Sequence, residues 1–211
     1  MAIAYDTSSS SQTGSATTLT YAHTCSGSDR VLTVIAVANR TITGITYNGV
    51  TMTLGVSLTF GSNSNNRIYY LIAPASGTNN IVVTISSVGP IQSGGLSFTG
   101  ADSIGASASN ESATTSVSQS ITTTKDNSFV VCGEGSQGGT GLTFTQNSGQ
   151  TEVFEENDPT SNAAAGAYKQ IVTAGSNSFQ YTLNVTSRVP KILLLEIQEK
   201  TTSNSNFLMF M

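Results

Sequence analysis

Stretches in which apolar and polar residues alternate recur along the whole chain, with turn residues between them about every 8–12 positions. Asn48-Gly49 lies between two such stretches and is typical of a hairpin, because both central positions of a type I′ turn need positive φ. No segment keeps a 3.6-residue apolar period, and Ser161 to Gly166 is the one helix-tolerant patch. The pattern therefore predicts an all-β fold. In the first half we expect strands near 16–23, 30–38, 42–47, 50–57, 67–73, 79–86 and 93–99.

The order of these predicted strands repeats at an offset of about 98 residues, as expected for an internal repeat. Identity between the two copies is low, but the order and spacing of the elements agree. The matching segments are 31–39 with 129–137, 45–53 with 144–153, 68–77 with 167–175, 80–86 with 178–184, and 95–98 with 192–196. We therefore predict a jelly-roll-like β-sandwich made of two sequence-related halves of about seven strands each.

The repeat also suggests where the parts of the chain begin and end. We expect an N-terminal arm (1–14), a first half (15–99), a polar connector (100–115), a second half (116–198) and a tail (199–211). The connector is compatible with a linker between two small sandwiches or with a crossover within one large sandwich. Because ~95 residues with few aromatic side chains form a thin core, we favour one compact unit.

Composition narrows the classes of partner. Charged residues make up only 9% of the chain, against about 25% in typical proteins. The net charge is −4 and the eight basic residues are scattered, so the clustered Lys and Arg that bind nucleic acid are lacking. No apolar run approaches the ~20 residues that span a bilayer. We expect neither nucleic acid nor membrane as a partner.

The start of the chain and the two cysteines bear on where the protein is made. Residues 1–6 lack the basic and apolar regions of a signal peptide, so we expect synthesis in a cytoplasm. Cys25 and Cys132 are then expected as free buried thiols, with a disulfide between them as the alternative.

Side chains that could perform catalysis are few. His23 is the sole histidine, and no G-x-S-x-G motif is found, so a Ser-His-Asp site is not expected. One histidine and two cysteines also do not make the four-ligand set that zinc prefers. A hydrolase would need paired carboxylates in a cleft, and the chain has no Trp to form a sugar platform. We predict a non-enzymatic protein without a cofactor.

The densest acidic segment is a weak candidate for calcium. Glu155, Glu156 and Asp158 offer the oxygen ligands that Ca²⁺ prefers. No D-x-D-x-D-G loop accompanies them, and we favour a solvated loop over a metal site.

A polar spacer at 201–206 precedes five apolar residues. Such residues need an explanation, because chain ends are normally polar. One interpretation is that they fold back onto the chain's own sandwich. We favour a peptide that docks into a partner subunit or another copy of the chain. The docking residues would be Phe207, Leu208, Met209, Phe210 and Met211.

Four runs of sequence resemble duplicated β-sandwich modules found in virion proteins of tailed bacteriophages and in some bacterial surface proteins. The runs are GSDRVLTV (27–34), ITYNGVTMT (45–53), IYYLIAPASGTNNIVVT (68–84) and LSFTGA (96–101). The resemblance covers about residues 15–198, is specific to a fold and supplies no catalytic residues. It implies a virion structural role, as a capsid decoration, head fibre or tail component assembled in the host cytoplasm. Its partners would be other virion proteins and copies of itself. The alternative is a carbohydrate-binding or host-adhesion module that binds a host-surface glycan.

Deletion of residues 207–211 tests the docking hypothesis. Burying each large apolar side chain contributes about 1.5–3 kcal/mol, so we expect the truncated protein to fold normally but to be absent from purified assemblies. Thermal unfolding would check the fold, and immunoblotting of purified particles would check incorporation. Normal incorporation of the truncated protein would contradict the hypothesis.

Overall fold

The computed structural model describes residues 2–60, 64–138, 140–158, 161–185 and 189–201, and it confirms the all-β prediction. Within these ranges no helix is long and apolar enough to cross a membrane. The strands of the first half are β1 (Ala4–Cys25), β2 (Val31–Ala38), β3 (Ile42–Tyr47), β4 (Val50–Thr51), β5 (Thr53–Phe60), β6 (Ser64–Ile72) and β7 (Gly77–Thr99). The strands of the second half are β8 (Ala101–Glu111), β9 (Ser116–Thr122), β10 (Ser128–Gln137), β11 (Phe144–Gln146), β12 (Thr151–Asn157), β13 (Asn162–Ile171), β14 (Ser176–Leu183) and β15 (Lys191–Glu199).

Each half contributes an inner and an outer layer of antiparallel strands. In the first half the inner layer has the order β5-β6-β2-β7-β1 and the outer layer the order β4-β3-β7-β1, so that β1 and β7 serve both. In the second half the inner layer is β12-β13-β10-β15-β8 and the outer layer is β11-β14-β9. Corresponding strands therefore pair in the same order in the two halves. The predicted duplication of the sequence stays a prediction.

The long strand β7 passes from one layer to the other. Its residues 81–85 pair with β3 and its residues 91–98 pair with β2. The change of layer falls near Gly89, opposite register shifts in β1 between Thr13 and Thr18. Bulges of this kind bend a strand and increase its twist. The predicted strands at 79–86 and 93–99 are thus two parts of one strand.

The two inner layers pack face to face around a central core. Along β2, Val31, Ile35 and Val37 point into this core, and the alternate residues point into a second core beneath the outer layer of the first half. Such alternation between two buried faces explains why the run VLTVIAVA is almost wholly apolar. The second half supplies the facing residues of the central core, which include Phe129, Val131, Ala164, Leu193, Leu195 and Ile197.

A third core lies between the inner and outer layers of the second half. Phe179 and Tyr181 of β14 are fully buried there against Val130, Cys132 and Leu194. The protein is thus a stack of four layers with three cores, in which the inner layers are buried on both faces.

Two segments predicted as irregular contain strands. The predicted arm (1–14) holds the first part of β1, which pairs with β7, and the predicted connector (100–115) holds β8, which pairs with β15. Both are edge strands, β1 rich in Ser and Thr and β8 with three Ser, and backbone hydrogen bonds hold them while part of their surface meets solvent. The alanine-rich patch at 161–166, which was helix-tolerant in sequence, lies in or beside β13. Burial in an inner layer overrides its helix propensity.

Phe154 of β12 packs where two glycines leave space for its ring. A Cβ atom added to Gly166, its register partner on β13, would lie 2.1 Å from the ring, and one added to Gly94 of β7 would lie 2.3 Å from it. Gly94 and Gly166 belong to different inner layers, so this aromatic ring contacts both halves of the protein.

Replacing Gly166 with Ala should destabilise the protein by about 1–3 kcal/mol, the usual effect of overpacking a core. The ring of Phe154 cannot move away freely, because Gly94 confines it as well. Urea unfolding would measure the change in the free energy of unfolding.

Gly44→Ala is the matched control for Gly166→Ala. A Cβ atom at Gly44 would meet nothing within 4 Å and its φ is ordinary, so that variant should be as stable as the parent or slightly more so. Equal stability of the two variants would contradict the proposed role of the Phe154 contact.

Candidate functional site

The three acidic residues predicted as a weak calcium site do not converge on one point. Glu155 and Glu156 are neighbours on β12 and therefore point to opposite faces. Glu155 Oε2 accepts a hydrogen bond from the backbone N–H of Phe144 (3.1 Å), whereas Glu156 Oε1 accepts one from Ser10 Oγ (2.7 Å). Over the described ranges, no group of three or more His, Cys, Asp or Glu side chains is placed to hold a metal ion.

The predicted docking residues Phe207, Leu208, Met209, Phe210 and Met211 lie outside the residues that the structure describes. Their role stays a prediction from the sequence.

His23 lies near the end of β1 and is buried. Its Nδ1 lies 2.8 Å from Ser9 Oγ, and its Nε2 is buried without a hydrogen-bond partner in the described structure. Burial lowers the pKa of His23 to about 4, against the opposing effect of Asp6. Asp6 itself accepts hydrogen bonds from Ser26 and Ser97. Because burial disfavours the charged form, His23 is neutral at pH 7.

A buried acid that sequence analysis did not single out is Glu134 of β10. Its Oε1 accepts a hydrogen bond from the thiol of Cys132 (3.4 Å), and its Oε2 accepts one from Gln146 Nε2 (2.8 Å). The same Gln146 nitrogen also donates to Glu152 Oε2 (3.0 Å), so the amide bridges two carboxyl groups. A signal was present in the sequence, because the repeat aligns Glu134 with Ala36 of an apolar strand.

Burial raises the pKa of Glu134 to about 8, although the hydrogen bond from Gln146 opposes the shift. A raised pKa beside a second carboxylate is what a general acid requires. Glu134 is 0% exposed, however, so a substrate cannot contact it in this structure. Burial likewise raises the pKa of Cys132, whose thiol is free, as is that of Cys25. The free, buried thiols confirm the interpretation that we favoured.

Glu196 of β15 is the second fully buried acid. Its environment lowers the pKa of the carboxyl group, whereas that of Glu134 raises it. It accepts hydrogen bonds from the backbone N–H groups of Ala106 (2.8 Å), Thr124 (2.9 Å) and Lys125 (3.1 Å). Burial alone would raise the pKa of Glu196, but these hydrogen bonds outweigh it and lower the pKa. The carboxylate joins β8, β15 and the segment before β10, and its space depends on Gly105, where an added Cβ atom would lie 2.1 Å from Glu196 Oε2.

Among the residues that the structure describes, a groove on the outer layer of the first half is a candidate for binding. It has a volume of about 430 Å³ and lies between the Asn48-Gly49 turn and the start of β7. Asn48 has φ +49° and Gly49 has φ +75°, as predicted for the hairpin turn. The groove is lined by Thr46, Asn48, Thr78, Asn79, Asn80 and Val82, together with the turn glycine.

No protein-family model, no curated protein and no solved structure matches this chain.

Replacing each buried acid with Gln should change the stability of the protein with opposite pH dependences. The carboxyl group of Glu134 keeps its proton up to about pH 8 in the folded state, while the unfolded chain loses it near pH ~4.3. The folded state therefore binds more protons over this window, and this group's contribution to stability falls as the pH rises through it. Glu134→Gln should remove that loss, so its stability relative to the parent should increase from pH 5 to pH 8.

Glu196→Gln should behave in the reverse manner. Loss of the charged acceptor should destabilise the protein by about 1–3 kcal/mol at pH 7. The difference from the parent should shrink as the pH falls below ~4.3, because the Glu196 carboxylate of the parent then becomes protonated. Urea unfolding across the pH range measures both variants. If the stability difference from the parent changed with pH in the same direction for both variants, the opposite pKa shifts of Glu134 and Glu196 would be contradicted.

Proposed function

We propose that this chain is a non-enzymatic structural protein of a tailed-bacteriophage virion, acting as a capsid decoration, head fibre or tail component. The observation that carries the proposal is the central core, which joins the two inner layers into one body. Its proposed partners are other virion proteins and copies of itself, with assembly in the host cytoplasm. The resemblance of residues 15–198 to duplicated modules of phage virion proteins also supports this role.

The central core makes the body rigid. Side chains from eight strands of the two inner layers meet there, among them Ile35, Phe98, Phe129 and Leu195. Closely packed protein interiors resist deformation. A particle component that must hold its shape in a repeating assembly needs this property more than it needs moving parts.

The reactive side chains of the described residues support a structural role as well. His23, Cys25, Cys132 and Glu134 are all buried, and their positions keep them from substrates. Glu196 uses its charge to accept backbone hydrogen bonds. Groups that would carry chemistry in an enzyme are thus buried in the cores, and the two buried carboxyl groups also join different elements of the fold.

The surface of the protein suits contact with neutral partners. Only 20 of the 211 residues are charged, that is 8 basic and 12 acidic. The edge strands β1 and β8 present many hydroxyl side chains. Surfaces of this kind form hydrogen bonds without a large electrostatic field.

A second candidate function is binding of a host-surface glycan on the same scaffold. The groove at Asn48 and Asn80 favours it, because amides and hydroxyls line the groove without any charged side chain.

Mass spectrometry of purified particles tests the structural role. If the proposal is correct, the chain should copurify with intact virions in a fixed copy number that exceeds a few per particle. Separated heads and tails would then show which part carries it. A non-structural protein of the same phage serves as the control, since it should be lost on purification. Absence of the chain from purified particles would refute the proposal.

A further inference from the structure

We propose that the groove beside the Asn48-Gly49 turn is a binding site for neutral carbohydrate. It lies on the outer layer of the first half, away from the central core. The inference goes beyond the structural role and gives a location to the second candidate function. The hairpin at Asn48-Gly49 differs from its counterpart in the second half in the hydrogen bonds of its side-chain amides.

The two hairpins have the same backbone arrangement. The N–H of Asn48 donates to the carbonyl of Asn80 on β7 (3.0 Å), and the N–H of Asn147 donates to the carbonyl of Gln180 on β14 (3.0 Å). Tyr47 pairs with Ile81 in the first half, as Gln146 pairs with Tyr181 in the second. Asn48 therefore corresponds to Asn147, Asn80 to Gln180, and Val82 to Thr182.

In the second half, the side-chain amides at these positions are used internally. Asn147 Nδ2 donates to Thr182 Oγ1 (2.7 Å), and Gln180 Nε2 donates to Ser116 Oγ (2.9 Å). These bonds fix both amides and leave them less able to bind a ligand.

In the first half, the corresponding amides are free. Val82 occupies the position of Thr182, so Asn48 lacks the hydroxyl with which its counterpart pairs. Across the described part of the chain, neither the Asn48 nor the Asn80 side chain forms a hydrogen bond, and both are exposed. The groove thus has two amides available to a ligand, with the apolar Val82 two residues beyond Asn80 on the same strand.

The wall of the groove is held in place from below by Tyr47. Its buried hydroxyl lies within hydrogen-bond distance of the carbonyls of Gly77 (3.1 Å) and Ala75 (3.3 Å), and it accepts a bond from Asn79 Nδ2 (3.3 Å). These contacts fix the segment that precedes Asn80. A pre-organised site loses less entropy when a ligand binds.

The chemistry of the lining selects a neutral sugar. Each amide offers both a donor and an acceptor, which match the hydroxyl groups of a sugar. Val82 provides an apolar contact for the C–H groups of a sugar ring. The lining residues include no charged side chain, so an anionic or cationic ligand would find no ion pair there.

An array of immobilised glycans, probed with the full chain, tests the site. The array should hold neutral oligosaccharides of hexoses and N-acetylhexosamines beside sialylated and sulfated ones. We expect binding to a subset of the neutral glycans and none that depends on charge. The inference would be overturned if no neutral glycan bound, or if only charged glycans did.

Three variants locate the binding on the chain. Asn48→Gly keeps a residue that tolerates positive φ but removes the amide. Val82→Thr gives Asn48 a hydroxyl to pair with, as Thr182 pairs with Asn147 in the second half. Each should weaken binding about tenfold. Asn147→Ala removes an amide that is already engaged, and it should leave binding unchanged. Thermal unfolding would confirm that all three variants fold.

Equal affinity of all three variants and the parent would overturn the location. Glycan binding can be tested separately from the structural role, because the Asn48→Gly and Val82→Thr variants should enter particles in normal amounts. Loss of glycan binding with normal incorporation therefore supports the site, and binding that persists in both variants refutes it.

Discussion

Face-to-face packing of the two inner layers is the interaction on which the other features depend. Strands β2 and β10 lie at the middle of their layers and bury both faces, one in the central core and one beneath an outer layer. If the inner layers separated, side chains such as Ile35, Phe98 and Leu195 would meet water, at a cost of about 1.5–3 kcal/mol for each. Each inner layer would then expose to solvent the face that now packs in the central core. Neither half can therefore be treated as an independent sandwich.

The two fully buried acids show how the same residue type serves opposite purposes inside one protein. Glu196 meets three backbone N–H groups and holds three segments together as a carboxylate. Glu134 meets one amide and one thiol, so burial dominates and the group keeps its proton. The difference lies in the number of donors that the surrounding backbone supplies.

The sequence predicted the elements of the fold better than their connections. Alternation and the Asn48-Gly49 turn predicted the strands of the first half, because both depend on local preferences. Gly89 and the residues around it resembled a break between strands, whereas the chain bends there and continues as β7. The edge strands in 4–14 and 101–111 escaped prediction because backbone pairing holds them with little apolar burial. The groove could not be predicted either, since the freedom of the Asn48 amide depends on Val82, which is distant in sequence.

Strand β7 also gives the first half a mechanical property that the second half does not share. One uninterrupted strand runs from the groove through the bend at Gly89 into the middle of the inner layer, flanked by β1 along most of its length. A pull applied at the groove would act along these strands and load many backbone hydrogen bonds in shear at once. In the second half, the corresponding segments β14 and β15 are separate strands in separate sheets. An attachment on the outer layer of the first half would thus transmit tension directly to the centre of the molecule.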